Sequence, residues 1–478
     1  MVIRFGTDGW RALVAEEFTF PNVRKVVQGI ALYLRSHPVR GRSRTVLVGY
    51  DTRPLGDRFA QATAEVLAGN GLRVWITRGP MPTPAVSMAI LRYKLLGGVL
   101  ITASHNPFTY NGVKFRPFYA GSADSSMTRW IERRLTRRVR RIPFEEGIRA
   151  GSIRRMDLAP AYAGFLRRYV EWDAFRRMGK KRLRVAYDSM HGAGQDLLWR
   201  IIPKRISRRL DLFLIPSREN HSGPVPATHR PEPIGENLKE LAAEVRSGRA
   251  DAGLATDGDA DRMGLVGPDG RFVSAQETMA LLLWHLLEDR KWRGPVVTTV
   301  AATNLMDALA RQYRVPLERT PVGFKHIVDR MRKEEILFGA EESGGFCFRG
   351  AVPERDGLLA GLLILEMMAS RGKSLTAILG DLRRRFGRWI YRRADLELGK
   401  PVDRRRLLRW ARTGARRIAH LREIQTLDGV KVVLKDGSWL LLRPSGTEPL
   451  LRVYAEARSE GRLRALLLLG RRVGGELL

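Results

Sequence analysis

The sequence predicts an α/β protein with three similar α/β domains and a smaller C-terminal α+β domain. One observation is that runs rich in β-branched residues alternate with runs of helical periodicity through most of the chain. A second is that the end of the chain changes to a strand hairpin, a further strand and a last helix. The third is length, because 478 residues suffice for three or four domains. We place these domains at residues 1–150, 151–268, 269–388 and 389–478.

In the first domain, two strands end in polar loops. The run TVLVGYDTR at 45–53 is the first, and a helix with a glycine stop at Gly71 follows it. The run GGVLI at 97–101 is the second, and it leads into TASHNP at 102–107. Because ligands gather at the carboxyl ends of strands in α/β layers, we expect Ser104 to lie at a ligand site. Taken alone, the same loop could also be a set of side-chain turns.

The same pattern recurs along the chain. Strands ending in small or acidic residues are predicted at 182–194, 251–262 and 294–304. The apolar run at 357–369 is too short to span a bilayer and is interpreted as a buried helix, so no membrane partner is expected. The tail predicts a hairpin that turns at 435–437.

The charge balance is strongly basic. Lys and Arg number 84 against 50 Asp and Glu, a formal net charge of +34. Such a field attracts polyanions. The arginines are nevertheless scattered, without zinc-finger spacing or interleaved aromatic residues, so nucleic acid is an unlikely partner. The single cysteine, Cys347, and the lack of a signal-peptide pattern favour a cytoplasmic protein.

The run TDGDADR places Asp257, Asp259 and Asp261 at alternate positions. A turning loop would let these three carboxylates converge on one cation, and oxygen-only ligands favour Mg²⁺. The alternative is an acidic surface turn. An EF-hand is excluded, because no Glu stands at the twelfth loop position.

Two more loops carry groups that suit a phosphorylated sugar. RPSGTEP at 443–449 offers an arginine, hydroxyls and the backbone amides around its glycine, which suit a phosphate. The alternative is a tight turn with a structural arginine. GAEESGG at 339–345 offers carboxylates that could accept hydrogen bonds from sugar hydroxyls. The alternative is a helix that begins with acidic residues.

The serine, aspartate, glutamate and RPSGTEP loops, in this order, resemble the α-D-phosphohexomutase family, and in particular its bacterial phosphoglucomutase/phosphomannomutase members. The resemblance covers nearly the whole chain. Further matching segments are FGTDGWR at 5–11, YNGVKF at 110–115, DSMHGAG at 188–194, PVGFKHI at 321–327 and VPERDGLLAGLLILE at 352–366. The family implies mixed sheets and a central active-site cleft.

The resemblance also implies roles for individual residues. Ser104 would carry a phosphoryl group and complete the Mg²⁺ site of Asp257, Asp259 and Asp261. The residues expected near the reacting serine are Lys114, Arg11 and His105. Local positive charge would lower the pKa of Lys114 and suit it to general acid/base catalysis. Substrate contacts are expected from Arg262, Gly323, Lys325, Glu341, Ser343 and Arg355. Phosphate contacts are expected from Arg443, Ser445, Gly446, Thr447 and Arg452.

The implied activity interconverts hexose 1-phosphate and hexose 6-phosphate, with glucose favoured over mannose because of the EESGG run. The partners would be hexose phosphates, with glucose 1,6-bisphosphate as activator. The protein is expected to be a monomer or a homodimer. Two alternatives are a metal-dependent sugar phosphatase and a non-catalytic polyanion binder. Ala12 and Ala351 stand where many relatives have Gly and His, and the loss of that histidine could alter specificity or rate.

Overall fold

A computed structural model of the chain describes residues 3–476 except positions 7, 137, 179–180, 196, 216–224, 226–227, 399–401 and 446–449. The described residues form four β-sheets in succession. The first three sheets mix parallel and antiparallel pairs, whereas the fourth is antiparallel throughout its described pairings. The predicted fold class, three α/β domains and a C-terminal α+β domain, is therefore confirmed.

The first domain has a six-stranded sheet in the order β1-β5-β4-β2-β3-β6. Its strands are β1 Trp10–Leu13, β2 Thr45–Tyr50, β3 Arg73–Thr77, β4 Gly97–Ile101, β5 Tyr110–Pro117 and β6 Ile153–Met156. Its helices are α1 Phe20–Ser36, α2 Gly56–Gly69, α3 Thr83–Arg92, α4 Ser125–Glu132 and α5 Phe144–Arg149. Because β6 pairs with β3, the first sheet extends past the domain end predicted at residue 150.

The second domain has a five-stranded sheet in the order β11-β10-β9-β7-β8. Its strands are β7 Leu183–Asp188, β8 Leu210–Leu214, β9 Ala252–Thr256, β10 Met263–Val266 and β11 Phe272–Val273. The helices before and within it are α6 Ala159–Tyr169, α7 Asp173–Arg177, α8 Leu197–Ile201 and α9 Lys239–Arg246, with a 3₁₀ turn at Lys204–Ile206. The tight β9–β10 connection carries the predicted metal loop.

The third domain has a four-stranded sheet in the order β13-β12-β14-β15. Its strands are β12 Val296–Thr299, β13 Leu317–Thr320, β14 Phe338–Glu341 and β15 Gly345–Phe348. Its helices are α10 Ala275–Trp284, α11 Leu305–Tyr313, α12 Phe324–Met331, α13 Gly357–Arg371 and α14 Leu375–Phe386, and a π-helical turn at His285–Asp289 extends α10.

The fourth domain has a five-stranded sheet in the order β16-β20-β19-β18-β17. Its strands are β16 Ile390–Glu397, β17 Leu421–Gln425, β18 Val430–Leu434, β19 Trp439–Pro444 and β20 Leu450–Ala457. Its helices are α15 Arg404–Thr413 and α16 Glu460–Glu476, with a 3₁₀ turn at Ala415–Arg417. β18 and β19 form the hairpin predicted to turn at 435–437.

Helix α13 is the buried helix that the apolar run at 357–369 predicted. It is buried on all sides from Gly357 to Ala369, because it packs between the second and third domains. In the part of the chain that the structure describes, no helix combines the length and apolarity needed to cross a membrane.

One polar residue of α13 joins the two domains. Glu366 accepts hydrogen bonds from Arg290 at 2.6 and 2.7 Å, from His285 Nε2 at 2.9 Å and from the backbone of Glu171 at 2.8 Å. Arg290 also donates to the carbonyl of Tyr169 at 2.9 Å. Burial raises the pKa of Glu366, but the hydrogen bonds from His285 and Arg290 outweigh it and lower the pKa to about 2.

We expect Glu366→Gln to lower the free energy of unfolding by about 3 kcal/mol at pH 7, the cost of removing one partner from a buried ion pair. The depressed pKa means that the carboxylate stabilises the protein above its unfolded-state pKa, and that this contribution is lost as the pH falls toward about 2. Urea denaturation at several pH values should therefore show the gap between wild type and variant narrowing below pH ~4.5. Exposed Glu145→Gln serves as the control, and equal losses in both variants would contradict the assignment.

Candidate active site

The predicted serine lies in the loop between β4 and β5. Ser104 is fully buried, has a φ of +53°, and donates from Oγ to Asp257 Oδ2 at 2.7 Å. Its backbone N–H donates to Thr102 Oγ1 at 2.9 Å, and Thr102 Oγ1 donates to Asp51 Oδ2 at 2.5 Å. A left-handed conformation is costly for a residue with a Cβ, so the surrounding hydrogen bonds must hold it.

Arg53 supplies most of that restraint. One terminal nitrogen of its buried guanidinium donates to the carbonyls of Ser104 and Asn106 at 2.7 and 2.6 Å. The other donates to the carbonyls of Pro107 and Tyr110 at 2.6 and 3.0 Å. Sequence reasoning missed Arg53, although its place in the polar end of the strand TVLVGYDTR was a usable signal.

The three aspartates of the β9–β10 loop come together as predicted. Carboxylate oxygens of Asp257, Asp259 and Asp261 lie within 4.8 Å of one another, and all three residues are fully buried. Oδ1 of Asp259 and Oδ1 of Asp261 are buried without a hydrogen-bond partner. Burial, followed by the charges of Asp261 and Asp259, raises the pKa of Asp257 well above its ordinary value. Clustered, unsatisfied carboxylate oxygens fit a hard cation such as Mg²⁺.

Gly258 lets the serine loop sit directly on the metal loop. A Cβ at this position would lie 2.5 Å from the carbonyl oxygen of Ser104. Asp257 Oδ1 accepts from the backbone N–H groups of Asp261 and Arg262 at 2.9 and 3.0 Å, which closes the metal loop into a turn. The aspartate loop is therefore shaped by its own first carboxylate.

Lys114, on β5, faces the same aspartates. Its Nζ lies 2.7 Å from Asp259, 3.0 Å from Asp8 and 3.3 Å from Asp261. Burial lowers the pKa of Lys114, but the charges of Asp259, Asp8 and Asp261 outweigh it, so the pKa is raised. The predicted lowering of the Lys114 pKa is therefore wrong, because carboxylates rather than cations are its nearest charged neighbours.

A second group missed from the sequence is Asp8. Its carboxylate accepts from Arg116 Nη1 at 2.7 Å and also lies 3.3 Å from Arg355 Nη2. Burial raises the pKa of Asp8, but Arg116, Lys114 and Arg355 outweigh it and hold the pKa well below its usual range. The feature of the sequence that could have identified Asp8 is that it is the acidic residue of the FGTDGWR motif. Its cationic partners are distant in sequence.

Arg355 reaches all three α/β domains. It contacts Asp261 Oδ2 at 2.5 Å and Asp8 Oδ2 at 3.3 Å through Nη2, and Glu341 Oε1 at 2.9 Å through Nη1. Glu341 also accepts from Ser343 Oγ at 2.7 Å. Glu341 ends β14, and residues 342–344 form a turn into β15 rather than the alternative helix start.

Arg11, His105 and Arg262 lie beside the serine and metal loops. Arg11 donates to Asn106 Oδ1 at 2.7 Å, and Arg262 Nε lies 3.9 Å from Asp261 Oδ1. His105 Nδ1 lies 3.4 Å from Ser104 Oγ. Burial, with added repulsion from Arg262 and Arg11, lowers the pKa of His105 well below 6.5, so the imidazole is neutral at pH 7.

The predicted phosphate contacts lie on the fourth domain. Arg443 Nε donates to Asp428 Oδ2 at 2.7 Å, and the same oxygen accepts from the backbone of Val322 at 2.9 Å. Arg452 lies opposite Arg443 in the β19–β20 register, and the Ser445 N–H donates to the Leu450 carbonyl at 2.9 Å. Gly446 and Thr447 fall outside the described residues.

The loop that contains Gly323 contacts the fourth domain through Val322, whose backbone N–H donates to Asp428. Gly323 has a φ of +128° and precedes α12, so the chain needs a glycine at this entry. Lys325 instead donates to Ser125 Oγ of the first domain at 3.3 Å. The structure thus links Ser104, the aspartates, Lys114, Arg355 and Glu341 by direct contacts, whereas Arg443 belongs to a separate set held by Asp428.

Family models for phosphoglucomutase/phosphomannomutase match the chain in four parts. Alpha/beta/alpha domains I, II and III match residues 2–141, 160–270 and 274–386, and the C-terminal domain matches 407–467. A phosphoglucomutase/phosphomannomutase of Thermococcus kodakarensis is 32% identical over 98% of this chain and 97% of its own length. A probable phosphoglucosamine mutase of Methanothermobacter thermautotrophicus is 33% identical, covering 96% and 95%. The crystal structure of a putative phosphomannomutase from Thermus thermophilus superimposes with a TM-score of 0.83 and 34% identity over 99% of both chains.

The Arg53 contacts can be tested without an activity assay. Lysine cannot bridge four carbonyls, so Arg53→Lys would leave buried acceptors unsatisfied at roughly 1–3 kcal/mol each. We expect a lower melting temperature and faster hydrogen exchange in residues 102–110. Exposed Arg58→Lys is the matched control. Wild-type exchange protection of the serine loop in Arg53→Lys would show that the loop does not depend on this guanidinium.

Proposed function

The chain belongs to the phosphoglucomutase/phosphomannomutase group of the α-D-phosphohexomutase family, and we propose that it interconverts hexose 1-phosphate and hexose 6-phosphate through a phosphorylated Ser104. The observation that carries the proposal is the contact of Ser104 Oγ with Asp257, within a buried cluster of three aspartates. A serine hydroxyl is a weak nucleophile, but as a phosphoryl carrier it divides the exchange into two transfers. A hexose 1,6-bisphosphate would be the intermediate, and glucose 1,6-bisphosphate the activator.

In this proposal, phosphorylated Ser104 and the three aspartates would hold Mg²⁺, which would supply a Lewis acid that withdraws charge from a phosphoryl group. Lys114 and Arg355 contact the aspartates, and their positive charges would stabilise the phosphoryl oxygens. Arg262 lies near the last aspartate and would contribute in the same way. Arg11 and His105 border the serine loop and would orient the acceptor hydroxyl.

The substrate must present each end of the sugar to Ser104 in turn, so its other phosphate needs a fixed anchor. We assign that anchor to Arg443, Ser445, Gly446, Thr447 and Arg452. Guanidinium groups and backbone amides of such a loop can donate hydrogen bonds to a dianionic phosphate. We assign the sugar hydroxyls to Glu341 and Ser343, with Gly323 and Lys325 on the neighbouring loop. Glu341 is already oriented by Arg355 and Ser343, which suits a carboxylate that must accept from hydroxyls.

Glucose remains the favoured sugar because of the EESGG run, with mannose as the alternative. Relatives named as phosphoglucosamine mutases are as similar as those named otherwise, so glucosamine belongs in the comparison. A metal-dependent sugar phosphatase would use the same aspartates and differ only in letting water accept the phosphoryl group.

Ser104→Ala should abolish turnover of glucose 1-phosphate, because no other hydroxyl contacts Asp257 among the described residues. A coupled assay with Mg²⁺ and a trace of glucose 1,6-bisphosphate measures this, with exposed Ser207→Ala as control. The rates on glucose, mannose and glucosamine 1-phosphates assign the sugar. Release of free phosphate without isomerisation would instead establish a phosphatase, and full activity in Ser104→Ala would exclude the phosphoserine route.

Asp259→Asn should weaken Mg²⁺ binding and reduce kcat by roughly 100-fold or more, because one anionic metal ligand is lost. Calorimetric Mg²⁺ titration and the Mg²⁺ dependence of kcat measure the two effects. Asp269→Asn, in an exposed turn, should match wild type. Unchanged Mg²⁺ affinity in Asp259→Asn would place the metal elsewhere.

A further inference from the structure

A cavity of about 590 Å³ lies between the third and fourth domains. Its walls come from α11 and β13 on one side, from β17, β18 and β19 on the other, and from Trp389 in the connection between the domains. It shares no lining residue with the cluster around Ser104 or with the proposed phosphate anchor. A volume of this size holds a small organic molecule.

Three basic side chains at the cavity lack a charge partner. Arg311, Lys435 and Arg458 line it, are exposed, and pair with no carboxylate of the described residues. The other basic groups of the wall behave differently. Arg319 pairs with Asp307 at 2.5 Å, and Arg422 pairs with Glu423 at 2.8 Å. Asp436, the third acidic residue of the wall, pairs with Arg462 at 3.3 Å. The acidic residues of the wall are thus already engaged, which leaves the three cations without a carboxylate partner among the described residues.

A fourth basic group lies at the buried side of the cavity. Lys431 is only 5% exposed, donates to the carbonyl of Val300 at 2.7 Å and lies 4.0 Å from the ring centre of Trp439. An ammonium group has three N–H donors, and one carbonyl satisfies one of them. Burial, reinforced by Arg319, lowers the pKa of Lys431 to about 7, against the opposing charges of Glu456, Asp307 and Glu423. An anion in the cavity would favour the charged form of this buried amine.

The connection between the domains adds a flat apolar wall. The guanidinium of Arg458 lies 4.5 Å from the ring centre of Trp389, and Trp389 packs on the backbone of Gly437. Guanidinium groups bind phosphate oxygens in pairs, and an indole face accommodates a ring. The wall therefore combines a site for negative charge with a surface for an organic body.

We propose that this cavity binds a phosphorylated small molecule at a second site, separate from the proposed active site. The phosphate would contact Arg311, Lys435 and Arg458 at the mouth, with Lys431 behind them. The organic part would lie against Trp389. This site is independent of the hexose phosphate chemistry, since none of its residues takes part in the proposed transfer.

The test is calorimetric titration of the full-length protein with ADP and with pyrophosphate at 150 mM salt. The variant Arg311→Gln/Lys435→Gln/Arg458→Gln removes the unpaired cations. Arg404→Gln/Arg405→Gln/Arg409→Gln removes the same charge from exposed positions on α15 that pair with no carboxylate of the described residues and do not line the cavity. Arg443→Gln reports binding at the proposed phosphate anchor instead.

We expect the cavity variant to weaken ADP binding by about 10-fold or more, and the α15 variant to change it by less than about 2-fold. Binding should persist in Arg443→Gln, and Lys431→Met should weaken it. Trp389→Leu should remove any preference for ADP over pyrophosphate. Thermal melts of the surface variants check folding.

Three results would overturn the proposal. Equal weakening in the cavity and α15 variants would mean diffuse attraction by a basic surface. Loss of binding in Arg443→Gln alone would place the anion at the proposed active site. Absence of binding of either probe to the wild-type protein at millimolar concentration would leave the cavity without this class of ligand.

Discussion

The guanidinium of Arg355 is buried among carboxylates from three domains, and the arrangement of the site depends on it. It contacts Asp8 of the first domain, Asp261 of the second and Glu341 of the third. Each of these carboxylates would be costly to bury alone, and so would the guanidinium. The three α/β domains therefore satisfy one another's charges at the point where they meet. The loop of Asp8, the aspartate loop and the end of β14 at Glu341 are brought together by the same contacts that make the burial tolerable.

Sequence reasoning located the loops well, because each follows a strand whose pattern is local. Motifs of a few residues and a family resemblance predicted Ser104, the three aspartates and Glu341 as site residues, and the structure brings them into one network of contacts. Asp8 and Arg53 were missed because their roles come from partners distant in the chain: Arg116 and Arg355 for Asp8, and the carbonyls of the serine loop for Arg53. The direction of the Lys114 pKa was wrong for the same reason, since periodicity does not show which charge lies 3 Å away in space.

In the structure, the arginines that produce the high positive charge differ in whether they pair with acidic side chains. In α14, Arg383, Arg384 and Arg385 each pair with an acidic side chain. On α15, Arg404, Arg405 and Arg409 are exposed and have no such partner within the part of the chain that the structure describes. The excess of arginine is therefore partly neutralised at helix surfaces and partly left without a carboxylate partner among the described residues. Composition alone could not distinguish the two populations, because both consist of arginine-rich helical segments.

Asp428 has a consequence for how the fourth domain would receive a phosphate. One of its oxygens accepts from both Arg443 and the backbone of Val322, so the arginine is oriented before any ligand arrives. On binding a phosphate, Arg443 would exchange one anionic neighbour, Asp428, for another. The phosphate would not have to immobilise a freely moving side chain. The conformational entropy that an arginine ordinarily loses on binding has largely been lost during folding. If Arg443 is the phosphate anchor that we propose, it is oriented in advance by Asp428, and the same carboxylate would moderate its affinity for phosphate.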